Sequence, residues 1–256
     1  MTEDTADILI NGSGILNRWR WPDISGLHSF KGTLVHSARW DTNLDWTGKR
    51  VAIIGNGSSA IQILPQMQRT AKHIVTYIRS PTWISPGLAT TNLESNDGQN
   101  VTYTEEEKKR LRENPDELRE LRKTLEHKLN GFFGNVILND GPQQAAAQAA
   151  FTAEMKRRLG GEKNAHLHEK LIPKWTVGCR RLTPGDGYLE ALTEPNVTIE
   201  MNPIQKITGK GIVSKASTEE FDIIVCATGF DVSFSPFWEL VGKDGIRLAD
   251  LCFRSV

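Results

Sequence analysis

The stretch that decides the fold is "VAIIGNGSSAIQ", Val51 to Gln62. Four apolar residues run into Gly55-Asn56-Gly57-Ser58-Ser59-Ala60, and apolar residues then return at helical spacing. Strand, phosphate-binding turn and helix follow one another in this way in a dinucleotide-binding βαβ unit. A turn that brings backbone amides against a pyrophosphate cannot carry bulk at its contact points, which Gly55 and Gly57 satisfy. The following helix points its positive end at the phosphate. Ser58 and Ser59 add hydroxyl donors there, and Ala60 permits close packing of helix on strand. Ala60, Ile61, Leu64 and Met67 fall on one face of a helix spanning Ser58 to Arg69. "HIVTYI", His73 to Ile78, is apolar and β-branched, a buried parallel strand that completes the unit.

The end of that second strand bears on which dinucleotide is bound. Sites for NAD place an acid about 20 residues beyond the glycines, on the ribose diol. Here the strand runs instead into Arg79-Ser80, within "YIRSPTW". A guanidinium fork beside a hydroxyl suits a 2′-phosphate, so the expected cofactor is NADP.

Around this unit the chain of 256 residues is balanced, with 31 basic and 31 acidic side chains. That balance gives no support to a nucleic-acid or anionic-membrane partner. No apolar run approaches the ~20 residues of a membrane span. Cys179, Cys226 and Cys252 are few and widely spaced, as expected of a reducing, cytoplasmic setting without disulfides. "ADILI", Ala6 to Ile10, reads as a short strand ended by a glycine turn, followed by an extended loop through Trp19, Trp21 and Pro22. From about Thr104 to Leu171 the composition turns to Glu, Lys, Arg, Ala and Leu. Thr104 is the expected N-cap of a first helix, Pro115 starts a second, and Gly160-Gly161 stops a third. Strand signals resume in "NVTIEM", "IQKIT", "GIVSK" and "FDIIVCATGF", with Lys210-Gly211 as a hairpin turn, so the helices read as an insertion. His166 and His168 are two apart, point to different helix faces, and read as surface residues.

Just before the glycine turn, "FKGTLVHSARWD" supplies Phe30-x-Gly32-x-x-x-His36-x-x-x-Trp40-Asp41. This resembles the fingerprint of the Baeyer–Villiger monooxygenases, members of the class B flavoprotein monooxygenases that also include flavin-containing monooxygenases. Every fixed position is present. The resemblance implies a hinge between flavin and NADP domains, with His36 and Trp40 in domain positioning. "VGCRRLTPGDGYLEAL", Val177 to Leu192, resembles the family's segment after the helical insertion. By that resemblance Arg181 is the catalytic arginine that faces the flavin and stabilises the anionic intermediates of oxygenation. Arg180 matches the basic residue that holds the NADP 2′-phosphate. "VCATGFD", Val225 to Asp231, resembles the turn where the chain returns to the flavin domain.

The expected architecture is therefore α/β: a Rossmann-like NADP-binding domain over 46–226 with a helical insertion at about 104–171. Residues 1–45 are read as the tail of a FAD domain with the fingerprint linker, and 227–256 as the start of the return to it. The family's FAD glycine turn is expected before Met1, so the chain reads as the middle of a longer enzyme. The leading function is an FAD- and NADPH-dependent monooxygenase that uses O2 to convert a small-molecule ketone to an ester or lactone, in secondary metabolism. A truncated, noncatalytic NADP-binding remnant is the alternative. A stand-alone NADP dehydrogenase is a third, with no Tyr-x-x-x-Lys pair or metal-ligand cluster to supply its acid.

Overall fold

In a computed structural model the described residues are 3–85, 103–138, 141–232 and 238–252. The chain first forms strands β1 (Thr33–His36) and β2 (Arg50–Ile54), helix α1 (Ser58–Gln68) and strand β3 (His73–Tyr77). After β4 (Ile84–Ser85) come helices α2 (Glu105–Glu113), α3 (Pro115–Phe132), α4 (Gln144–Arg158) and α5 (Ala165–Leu171). Strand β5 (Thr183–Pro184) and helix α6 (Tyr188–Ala191) lead into β6 (Val197–Glu200), β7 (Ile204–Ile207), β8 (Gly211–Ser214), β9 (Thr218–Glu220) and β10 (Ile223–Cys226). A short helix α7 (Leu248–Cys252) follows.

Five of these strands form one parallel sheet in the order β1-β10-β2-β3-β6. The fold is α/β of the doubly wound kind: the chain moves outward from β2 through β3 to β6, then returns to the other side of β2 as β10. Alternation along the central strands separates two cores. Val51, Ile53, Ile74, Ile223 and Val225 face α1 and the helices α4 to α6, where Leu64, Met67, Met155 and Leu189 fill the layer. Ala52, Ile54, Val75, Ile224 and Cys226 face the opposite way, onto Leu27, Phe30, Ile207, Ile212 and Phe221. Burial on both faces explains why these strands read as unbroken apolar runs rather than alternating ones.

Local sequence accounts for most boundaries. Thr104 accepts from the Glu107 amide while the Glu107 carboxylate accepts from the Thr104 amide, a reciprocal capping box that starts α2. Pro115 opens α3, where its missing N–H costs nothing. Beyond α4, Gly160 takes φ 88, a left-handed conformation that ends the helix. Strands β7, β8 and β9 form an antiparallel meander; the turn between the first two is Gly209-Lys210, one residue earlier than expected, because Gly211 already lies in β8 and pairs with Glu220.

Two further expectations are corrected. Residues 6–10 form no strand: Ile8, Leu9 and Ile10 are 79%, 71% and 87% exposed. A strand is stabilised by a paired neighbour, and no described segment offers one there. His168 is not a plain surface residue, because its ring is half-buried and its Nε2 lies buried without a hydrogen-bond partner.

Candidate functional site

The crevice of an open α/β sheet lies beyond the carboxyl ends of the strands where chain direction switches, here between β2 and β10. The glycine turn leaves β2 at that point. Gly55 has φ 121, and a β-carbon there would stand 2.4 Å from the Ala227 carbonyl oxygen that follows β10. Only glycine fits, for reasons of both conformation and space. Gly57 is different: it is exposed, extended, and a β-carbon on it would meet nothing within 4 Å. Gly57 is the N-cap of α1 and makes no side-chain cap, so the first helical amides face that open space. Ala60 is 1% exposed and packs α1 against the sheet.

Side chains from distant segments converge on this turn. Asn56 Nδ2 donates to the Ser80 carbonyl at 3.3 Å, joining the turn to the end of the second strand. Arg180 Nη1 donates to Ser80 Oγ at 3.1 Å, and its guanidinium lies 4.8 Å over the Trp175 ring. Ser58 Oγ pairs with Thr183 Oγ1 at 2.9 Å, and Tyr188 Oη donates to Asn56 Oδ1. Of the residues singled out from sequence, the turn, Ser80 and Arg180 are thus brought together. Arg79 is exposed beside them, and Ser59 is half-buried in the first turn of α1. Arg181 is exposed and forms no hydrogen bond or ion pair with another described residue.

Sequence reasoning missed what holds the 175–190 segment in place. Buried Gln144 donates to the carbonyls of Val136 and Val177 and accepts from the Val177 amide at 3.1 Å. Trp83 Nε1 donates to the Trp175 carbonyl at 3.0 Å. Arg158, whose side chain is only 8% exposed, forks onto Glu190 at 2.7 and 3.0 Å and caps the Gly185 carbonyl. Burial alone would raise the Glu190 carboxyl, but its bonds to Arg158 outweigh that and hold it below the usual range. The Gln144 and Arg158 braces tie the helical region to the 175–190 segment, and their sequence signal was polar residues on otherwise apolar helix faces.

The fingerprint residues divide between the two ends of the sheet. Phe30 is buried below the sheet, and a β-carbon on Gly32 would strike the Asp222 carbonyl at 2.4 Å and the Phe30 ring at 2.6 Å. His36 ends β1 and shares one row across the sheet with Cys226 and Ile54. It is 1% exposed, stacked on Trp19 at 4.7 Å, with Trp21 edge-on at 5.7 Å. Its Nδ1 accepts from the Ala38 amide at 3.1 Å, which leaves the proton on Nε2 to be donated to Thr228 Oγ1 at 3.4 Å. Burial lowers its pKa from 6.5 and keeps the ring neutral. Residues 18–19 in turn pair with 230–231, through a Trp19–Phe230 bridge and an Asp231 amide bond of 2.7 Å to the Arg18 carbonyl. Trp40 packs at the edge of the core that faces α1, against Trp46, and Asp41 Oδ1 accepts from the Asn43 amide in a turn.

The turn fits a dinucleotide pyrophosphate, because the space over Gly57 is open and the helix amides face it. The Ser80–Arg180 pair fits a further phosphate. A second turn of this kind, which FAD would need for itself, does not occur among the described residues. Nor do they contain a cluster of metal-ligating side chains, or a helix long and apolar enough to cross a membrane.

Residues 6–92 match the model of a family described as flavin-binding monooxygenase-like. The chain is 44% identical over 246 residues to the FAD-binding monooxygenase tazF of Aspergillus terreus, covering 96% of this chain and 43% of the relative. It is 33% identical to a Baeyer-Villiger monooxygenase of Streptomyces coelicolor, over 96% of this chain and 45% of that protein. The crystal structure of OTEMO in complex with FAD and NADP superposes with a TM-score of 0.75 at 27% identity, over 94% of this chain and 50% of that one. The chain therefore spans somewhat under half the length of these two curated relatives.

Proposed function

From the premise that this chain belongs to the flavin-binding monooxygenase-like family, we propose that it forms the NADPH-binding part of an FAD-dependent Baeyer–Villiger monooxygenase. When bound, NADPH would supply a hydride to FAD, and the reduced flavin with O2 would place one oxygen atom in a small-molecule ketone, giving an ester or lactone, and release the other as water. The observation that carries this reading is the meeting of Arg180 with Ser80 beside the glycine turn. The turn, residues Gly55 to Ala60, takes the pyrophosphate against the amides of α1. Arg79, Ser80 and Arg180 take the 2′-phosphate, with Trp175 fixing the plane of the Arg180 guanidinium.

Arg181 is assigned the catalytic role. It carries a permanent charge and several donors, so it can offset negative charge as it grows on the ketone oxygen. Exposed and unpaired among the described residues, it is free to turn toward a reacting centre. Phe30, Gly32, His36, Trp40 and Asp41 form the hinge: His36 holds the incoming 18–21 segment against the outgoing 228–231 segment. Residues 1–45 and 227–256 then carry the links to the flavin side, although β1 within the first of them is an edge strand of the nucleotide sheet, whose remaining strands lie in 46–226. FAD would be held largely by residues outside those described. The free thiols of Cys179 and Cys226 suit work in a reducing compartment such as the cytoplasm.

The test is to purify the chain, look for flavin absorbance that survives gel filtration, and follow NADPH-dependent oxygen uptake with a panel of ketones. Ketone-dependent uptake with ester formation supports the proposal. A second reading is an NADP-binding protein that is noncatalytic by itself. Colourless protein that binds NADPH and consumes no oxygen supports that one.

A further inference from the structure

We propose that Tyr188 is a positioning residue for 2′-phosphate recognition: through Asn56 it locks the glycine turn to the Arg79-Ser80 loop, so that both phosphate subsites are held as one. This rests on reading the turn as an NADPH site. Tyr188 begins α6, is 2% exposed, and packs its ring in the core that faces α1. Only its hydroxyl reaches the turn. There it donates to Asn56 Oδ1, which spares the buried hydroxyl the cost of going without a partner. Burial pushes the phenol pKa up, so the hydroxyl stays a donor at every working pH.

The consequence lies in the geometry of a side-chain amide. With Oδ1 turned to the tyrosine, Nδ2 is turned to the Ser80 carbonyl, 3.3 Å away. The same residue's hydroxyl accepts from Arg180 at 3.1 Å, and Arg180 is stacked on Trp175. A single path thus runs from Tyr188 through Asn56 and Ser80 to the cation that meets the phosphate. Without the hydroxyl, the amide of Asn56 has nothing to select its orientation, and a flipped amide would set oxygen against the Ser80 carbonyl. The separate Ser58–Thr183 contact at 2.9 Å keeps the 183–188 segment docked. The loss therefore falls on the alignment of the two subsites, not on the fold.

Tyr188→Phe keeps the ring and removes the hydroxyl. Titrating the 256-residue chain with NADPH and with NADH, by calorimetry or tryptophan fluorescence, reads the effect. NADPH is expected to bind about three- to tenfold more weakly, the range set by one neutral hydrogen bond, while NADH changes less than about 1.5-fold. Asn56→Ala should shift the NADPH-to-NADH ratio by the same factor, beside any loss common to both nucleotides at the pyrophosphate, and the double variant should shift that ratio no further, because the two residues act in series. A purely structural tyrosine would lower the melting temperature and leave the NADPH-to-NADH ratio alone. A parent protein that prefers NADPH, with a Tyr188→Phe variant that keeps this preference within about twofold, overturns the inference alone. Should Tyr188→Phe fail to fold by circular dichroism, Asn56→Ala decides in the same way. A parent protein that binds neither nucleotide, or both equally, removes the NADPH reading and this inference with it.

Discussion

The glycine turn and the His36 hinge lie at the same edge of one sheet, one strand apart, yet they are built in opposite ways. The turn is open and polar: Gly57 faces empty space, cations stand exposed, and distant segments meet through single hydrogen bonds. The hinge is closed and aromatic, with a neutral imidazole buried under two indoles. Desolvation makes the second kind of site stable but leaves no space or charge for a ligand. A site that binds an anion needs the first kind. Position at the carboxyl edge alone does not mark a binding site; the open amides and uncommitted cations do.

The largest test of this contrast uses the two glycines. Gly55→Val should cost about 3 kcal/mol or more, since it combines a forbidden φ of 121 with a clash at Ala227. Thermal unfolding should show a fall of several degrees or no folded protein at all. Gly57→Ala should cost no more than about 1 kcal/mol, the N-cap preference, while weakening NADPH by putting a methyl group where the phosphate goes. Equal losses of stability in the two variants would break the contrast.

At the hinge, His36→Ala should cost about 2 kcal/mol through the lost stacking on Trp19 and the void left behind. Trypsin should then cut faster at Arg18 and Arg20, and NADPH affinity should stay within about twofold. On the open side, Arg180→Ala should weaken NADPH about tenfold, roughly 1.5 kcal/mol for a charge-assisted bond, with NADH and melting temperature unchanged. A matching loss for NADH would move the arginine off the 2′-phosphate.

The smallest effect concerns pH. Burial lowers the pKa of His36, and burial with the nearby Arg50 charge lowers that of His73, each from 6.5. The unfolded chain then binds more protons than the folded one between the depressed values and 6.5, so stability falls as pH drops through that window. Melting curves between pH 7 and pH 5 should show the decline, and His36→Gln should flatten part of it.

Much of this organisation was legible in the residues. The βαβ unit was readable because glycine spacing and apolar runs are local, and the N-cap at Thr104 and the hairpin after β7, to within one residue, were readable for the same reason. "ADILI" misled because four apolar residues around Asp7 look the same with or without a neighbouring strand to pair with. Strand β9 passed unseen, since its Glu219 and Glu220 sit at a sheet edge where charge is tolerated. The contacts of Asn56 with Tyr188, and of Ser58 with Thr183, join residues 132 and 125 positions apart, which no spacing rule foresees. Arg180 and Ser80 could be singled out separately, but only the fold brings them within 3.1 Å.

The central claim is that the open edge receives a dinucleotide carrying a 2′-phosphate. Its most direct test is a calorimetric titration of the unaltered protein with NADPH and, in parallel, with NADH. The account predicts saturable one-to-one binding of NADPH, about tenfold or more tighter than NADH, as a charge-assisted phosphate contact requires. No binding, or equal affinity for both nucleotides, would contradict it.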